Sequence, residues 1–317
     1  MPTALLLIVI GFVLLIVGAD ALVEGARRIA ARLGVPDRVA GLTIVAIGTS
    51  LPELVVSVTS AVGGHAEMAF GNVVGSCLAN LLLILGLSAV VAPIALSRDT
   101  QRFEIPVSVA ACGLLALLAN TDGQVTASEG AVLLAAFVAF LARTVTVGLH
   151  EGAGEKGEAA GDGGSGAGAV ALDLARIVVG AVMLKFGADL VVDNATLIAA
   201  GAGVSERVIG ITVVALGTCL PELVTSVVAA LRGNSDIAVG NVVGSNISNL
   251  LLVMGAPALF SAVPYDAAYN LDLVLLAVFS LALVGFAFIG RRHEMSRANG
   301  VAFVVLYVAY VAVSVLR

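Results

Sequence analysis

The chain has 317 residues, 60% of them hydrophobic and 12% charged. That is more apolar surface than a soluble core of this length can bury, so the composition excludes an ordinary globular protein and places the chain in a bilayer. The net charge of −6 says little about partners, because several acids lie in a Gly-rich stretch and others inside apolar spans; no nucleic-acid partner is expected.

Taken in chain order, the first apolar run, Leu5 to Val17, has no basic residue before it and no evident cleavage context, and it reads as a retained helix rather than a leader. Nine further runs repeat the scale of about 17 to 25 residues that crosses roughly 30 Å of hydrocarbon. The predicted spans are Ala4 to Val23, Arg38 to Val62, Met68 to Ala92, Glu104 to Asn120, Glu129 to Leu149, Val170 to Asp193, Arg207 to Leu231, Ile237 to Phe260, Leu271 to Gly290 and Val301 to Leu316. Barrel-like alternation is absent, so the expected fold class is an all-α integral membrane protein with ten transmembrane helices.

Between His150 and Ala169 lies a Gly-rich tether without the GxxxxGK[ST] pattern of a phosphate cradle. The expected organisation is therefore a first five-helix repeat (1–149), a cytoplasmic linker (150–169) and a second five-helix repeat (170–317). Of the 16 lysines and arginines, all but Lys185 inside span six, Arg207 and Arg317 fall on the side of the odd-numbered loops. This bias predicts odd loops in the cytoplasm, both termini outside it, and a multi-pass protein of the plasma (inner) membrane.

Residues 18–86 align without a gap on residues 187–255 at a constant offset of 169, and 39 of the 69 pairs are identical. Gly48-Thr49-Ser50-Leu51-Pro52-Glu53 recurs as Gly217-Thr218-Cys219-Leu220-Pro221-Glu222, and Gly71-Asn72-Val73-Val74-Gly75-Ser76 as Gly240-Asn241-Val242-Val243-Gly244-Ser245. Five spans per half is an odd number, so equivalent segments enter the membrane from opposite sides. That inverted-repeat plan implies alternating access.

Glu53 and Glu222 lie within spans two and seven, where an ionised carboxylate costs about 2.5 to 3.5 kcal/mol. No lysine or arginine occurs in spans two, three, seven or eight except at or near their ends, so a bound cation or proton is the natural counter-charge. Pro52 and Pro221 are expected to kink or break their helices and free backbone carbonyls. Thr49 and Glu53, four apart, would share a helical face, as would Ser76 with Asn80 and Ser245 with Asn249. This oxygen set suits Ca²⁺ better than metals that prefer sulfur or imidazole. The three cysteines and three histidines show neither CxxC nor HExxH spacing. Two carboxylates carry −2, which one Ca²⁺ neutralises, and their mutual repulsion disfavours an empty ionised site. Obligatory exchange follows, with the counter-ion open between Na⁺ and H⁺. The GxxxG pairs at Gly71/Gly75 and Gly240/Gly244 read as close-packing surfaces. Asn72, Asn241 and Asn246 read as interhelical hydrogen-bonding residues, and Lys185 and Asp189 as a local pair.

The paired GTSLPE/GTCLPE and GNVVGS segments resemble the α-repeats of the sodium/calcium exchanger family, within the cation/calcium antiporter superfamily, and the resemblance covers both halves. It implies a Ca²⁺ site of Glu53, Glu222, Thr49 and Thr218 with freed carbonyls of Ala46 and Ala215. It implies flanking Na⁺ sites that share the glutamates and those carbonyls and add Ser50, Ser76, Ser245 and the position of Cys219. Asn80 and Asn249 would complete the central ring. The transported ions would be Ca²⁺ and Na⁺, at three Na⁺ per Ca²⁺, with no cofactor, no enzymatic activity and function as a monomer in the lipid bilayer. Cys219 departs from the hydroxyl at Ser50 and should weaken one Na⁺ contact; neutral Asn249 implies no K⁺ requirement; Cys77, opposite Asn246 in the repeat, reads as packing. A proton-driven Ca²⁺ exchanger is the nearest alternative and a cation channel a more distant one. An intramembrane aspartyl protease built on Tyr265-Asp266 fails for want of a GxGD partner segment.

Overall fold

The computed structural model describes residues 2–154, 167–202, 215–289 and 294–316. Most of the expected linker, the start of predicted span seven with Arg207, and Lys156, Arg291, Arg292 and Arg317 lie outside the described residues.

A backbone in hydrocarbon must satisfy its own hydrogen bonds, and every long apolar run forms a helix among the described residues. The first half contains α1 (Pro2–Leu33), α2 (Asp37–Thr49), α3 (Leu51–Val62), α4 (Met68–Val91), α5 (Thr100–Asp122) and α6 (Ala127–Gly154). The second contains α7 (Ala167–Gly201), α8 (Ala215–Thr218), α9 (Leu220–Leu231), α10 (Ser235–Ala258), α11 (Tyr269–Ile289) and α12 (Arg297–Leu316). α2 and α3 form one span bent by 43°, and α8 and α9 repeat that break. Counted this way the chain makes ten transmembrane helices in two inverted repeats. The helices α4 and α10 occupy the interior, with α10 buried throughout Ile237–Ser248.

Three sets of contacts display the pseudo-two-fold relation between the halves. α1 crosses α7 at glycines: a Cβ on Gly11 would sit 2.8 Å from the Gly187 carbonyl, and one on Gly18 would sit 2.9 Å from that of Gly180. The offset of 169 carries Gly11 to Gly180 and Gly18 to Gly187, so the contact is its own mirror. Two short antiparallel pairs, not anticipated from the sequence, obey the same rule: β1 (Ile94–Ala95) pairs with β4 (Glu294–Met295), and β2 (Gln124–Val125) with β3 (Val263–Pro264). They tie the loops on opposite membrane faces. Cys77 and Asn246, equivalent in the repeat, meet each other: the Asn246 amide donates to the Cys77 carbonyl at 3.2 Å, and the Cys77 thiol donates to the Asn246 carbonyl at 3.8 Å.

Among the described residues the symmetry is broken where α1 and α7 meet the two broken spans. α1 packs along α9, whereas the equivalent helix α7 makes little contact with α3. Val56 on α3 is therefore 42% exposed while its counterpart Thr225 on α9 is 0% exposed. At the far end of α9, Arg232 forms ion pairs with Asp20 and, at 3.7 Å, Glu24 of α1. The counterpart of Arg232 is Gly63, which offers no cation to α7. Asp189, equivalent to Asp20, instead pairs with Lys185 on its own helix at 2.6 Å.

Candidate functional site

The helix break falls at Ser50, not inside a continuous helix around Pro52. Ser50 leaves the helical region, and α3 begins at Leu51 with Pro52 in its first turn, where a missing amide hydrogen costs nothing and the fixed φ suits the helix start. Cys219 occupies the same place before α9. Two expectations are corrected. Thr49 and Glu53 do not share a helical face, because the bend puts them on different helices. The Ala46 carbonyl is not freed of its backbone partner, since the Ser50 amide donates to it at 3.0 Å; only its second lone pair remains, facing the Thr49 hydroxyl at 3.3 Å.

The break places Glu53 and Glu222 in the first turns of α3 and α9, where unpaired helix amides favour negative charge. Each is 1% exposed, and the two are close enough to interact electrostatically. No lysine or arginine forms an ion pair with either among the described residues. Ser50 donates to Glu222 Oε1 at 3.4 Å, which joins the first half's break to the second half's carboxylate. Thr49 lies beside that carboxylate as well. Cys219 stands near both glutamates and Ser76, and 3.9 Å from the Thr218 hydroxyl.

Around these groups the buried polar atoms without a hydrogen-bond partner include both carboxylate oxygens of Glu53, Oε2 of Glu222, the Ser245 hydroxyl and the whole amides of Asn80 and Asn249. Each orphaned polar atom costs roughly 1 to 3 kcal/mol, and a desolvated cation is the partner that repays several oxygens together. Asn80 and Asn249 sit at the starts of π turns, Ala79–Ile84 in α4 and Asn249–Val253 in α10. Such turns locally widen the helix and recur at functional sites. The donor set is oxygen with one thiol, and no cluster of three or more His, Cys, Asp or Glu side chains is poised for a metal among the described residues. Hard cations that accept hydroxyl, amide and carbonyl oxygens fit this arrangement; softer transition metals do not.

Asn241 was read from the sequence only as an interhelical residue, yet it contacts the site directly: Thr49 donates to its Oδ1 at 3.2 Å. The identical pairs Asn72/Asn241 and Ser57/Ser226 in the repeat were the available signal. In the structure Asn241 donates to Ser226 at 2.8 Å and Asn72 to Ser57 at 3.3 Å. Gly240 and Gly244 bring α10 onto α2, with a Gly240 Cβ 3.0 Å from the Arg38 carbonyl and a Gly244 Cβ 2.8 Å from that of Leu42.

The model of the family described as sodium/calcium exchanger protein matches residues 3–146 and 172–316. A putative antiporter, CaxA, from Alkalimonas amylolytica is 35% identical over 98% of each chain. The sodium/calcium exchanger MaX1 of Methanosarcina acetivorans is 32% identical over 97% of each. Among solved structures, the sodium-calcium exchanger NCX_Mj soaked with 2.5 mM Na⁺ and 0.1 mM Ca²⁺ superimposes with a TM-score of 0.83 at 32% identity, covering 98% of both chains. With both halves matched and the break-centred site in each, this chain belongs to the sodium/calcium exchanger family of membrane cation antiporters.

Proposed function

We propose that the chain exchanges Ca²⁺ for Na⁺ across the plasma (inner) membrane by alternating access, with Glu53 and Glu222 as carboxylate ligands that both ions share. The observation that carries this reading is the pair of buried, repeat-related glutamates whose oxygens lack a protein cation and face hydroxyl and amide oxygens. Thr49, Thr218 and the carbonyls of Ala46 and Ala215 would complete the Ca²⁺ shell, and Ser50, Ser76, Ser245 and Cys219 would add Na⁺ contacts, with Asn80 and Asn249 closing the ring. Filling the site with Ca²⁺ neutralises two negative charges in a low-dielectric setting. Releasing it unreplaced restores their repulsion, so a second cation must enter. The name of MaX1 and the ions soaked into NCX_Mj support Na⁺ as that cation.

The broken symmetry supports the alternating step. Docking of α1 on α9 covers the half of the span toward the odd-numbered loops, while the gap between α7 and α3 leaves the opposite half of the repeat uncovered. Exchanging the two arrangements between the repeat-related halves would reverse the exposure without new chemistry. With the odd loops in the cytoplasm, the described conformation is closed inward. One chain supplies both glutamates, which supports a functional monomer, and residues 150–169 would serve as the tether between repeats 1–149 and 170–317.

The test is ⁴⁵Ca²⁺ uptake into proteoliposomes with an outward Na⁺ gradient, an outward H⁺ gradient or neither. Uptake driven by Na⁺ is expected. Uptake driven only by H⁺ would replace Na⁺ with protons carried on the same glutamates, and rapid gradient-independent flux would indicate a channel.

A further inference from the structure

We infer that Asn241 is a positioning residue for Ca²⁺ binding, acting by giving the Thr49 hydroxyl proton a place to go when a cation occupies the site. The inference rests on the reading of Thr49 as a Ca²⁺ ligand. A hydroxyl coordinates a cation through a lone pair, so its hydrogen must point elsewhere. Three acceptors surround Thr49 Oγ1: the Ala46 carbonyl at 3.3 Å, Asn241 Oδ1 at 3.2 Å, and the neighbouring Glu222 carboxylate. A cation held between Thr49 and Glu222 excludes the third, and the Ala46 carbonyl gives one lone pair to the Ser50 amide at 3.0 Å and, as a proposed Ca²⁺ ligand, turns the other to the cation. Asn241 Oδ1 remains.

The orientation of that amide is set by its other contacts. Nδ2 donates to the Glu222 backbone carbonyl at 3.3 Å and to the Ser226 hydroxyl at 2.8 Å. A carbonyl accepts and never donates, so the nitrogen must face α9 and the oxygen must face Thr49. Asn241 is 0% exposed, so no water competes for either end. One side chain on α10 thereby links the hydroxyl of the first half to the backbone that carries the carboxylate of the second. Ser226 acts one step further back, by holding the amide in register.

The experiment is a double-mutant cycle on ⁴⁵Ca²⁺ transport in proteoliposomes with Thr49→Val and Asn241→Ala, recording KM for Ca²⁺, kcat and half-saturation by Na⁺. Each single variant is expected to raise KM for Ca²⁺ roughly three- to tenfold, the weight of one buried hydrogen bond. Half-saturation by Na⁺, whose proposed ligands do not include Thr49, should stay within about twofold. In the Thr49→Val background, Asn241→Ala should add less than about twofold, because the hydroxyl it orients is gone. Multiplication of the two effects, or equal losses for Na⁺ and Ca²⁺, overturns the inference and leaves Thr49 as a ligand. An unchanged KM in Thr49→Val overturns the ligand reading and the inference together. If Asn241→Ala does not assemble, Ser226→Ala replaces it in the cycle: its smaller rise in KM should vanish in the Thr49→Val background, and persistence there is the refuting result.

Discussion

A methyl group added at Gly244 tests whether the close approach of α10 to α2 sets the site. The new Cβ would lie 2.8 Å from Leu42 Cα, from the Leu42 carbonyl oxygen and from Ala46 Cβ. Carbon atoms rest about 3.5 to 4.0 Å apart, and all three of these neighbours are backbone or backbone-bound, so the helices must separate by ~1 Å. Overpacking of this kind costs about 1 to 3 kcal/mol, offset by ~1 kcal/mol from replacing a helical glycine with alanine. The net loss of stability should stay under about 2 kcal/mol. The larger effect should be functional, because α2 carries the Ala46 carbonyl and Thr49. Ca²⁺ accepts oxygens only between about 2.3 and 2.6 Å, and a ligand displaced by ~1 Å falls out of that range. Gly244→Ala should therefore raise KM for Ca²⁺ at least about tenfold in ⁴⁵Ca²⁺ uptake by proteoliposomes. Gly113→Ala is the control, since no described atom beyond the adjoining turns of its own helix lies within 4 Å of its Cβ, and it should transport normally. A KM within about twofold of the parent in a correctly folded Gly244→Ala protein would mean that the close approach of α10 to α2 does not set the site.

Glu53→Gln and Glu222→Gln each remove one of the two charges and should lower exchange at least about a hundredfold, with unchanged yield and elution of the purified protein; transport near parental rates would remove both residues from the site. Cys219→Ser restores the hydroxyl present at Ser50 and should lower the Na⁺ concentration for half-saturation about threefold, measured by Na⁺-driven ⁴⁵Ca²⁺ flux; an unchanged value would place the thiol outside the Na⁺ contacts. Arg232→Gly makes the end of α9 resemble its counterpart at Gly63 and removes the ion pairs to Asp20 and Glu24. With Thr225→Cys as a reporter and the three native cysteines replaced, maleimide labelling should rise severalfold as α1 releases α9. Unaltered labelling would mean that apolar packing alone holds α1.

The ten-helix architecture was legible because apolar runs of spanning length and a gapless repeat leave few alternatives; the strand pairs and the glycine crossing of α1 and α7 were not, although the offset relates each such contact to its mirror. The site residues were legible by type but not by geometry. Proline signalled an interruption, yet the bend falls at Ser50, since a helix starting at Leu51 accommodates Pro52 without losing a hydrogen bond. The π turns beginning at Ala79 and Asn249 left no mark in composition, and the residues that open and flank them keep ordinary helical dihedrals. Docking of α1 on α9 without its counterpart had no distinct signature either. Val56 and Thr225 stand at equivalent places in matching halves, and their different burial follows the packing of α1 on α9, which α7 does not repeat on α3.

In the proposed exchange Glu53 and Glu222 together hold one cation site that Ca²⁺ and Na⁺ compete for. Equilibrium ⁴⁵Ca²⁺ binding to the purified protein, titrated with Na⁺ and repeated in Glu53→Gln and Glu222→Gln, tests it most directly. One Ca²⁺ should bind per chain, be displaced by Na⁺, and be lost in either variant. Binding that survives either substitution, or that Na⁺ does not displace, would contradict it.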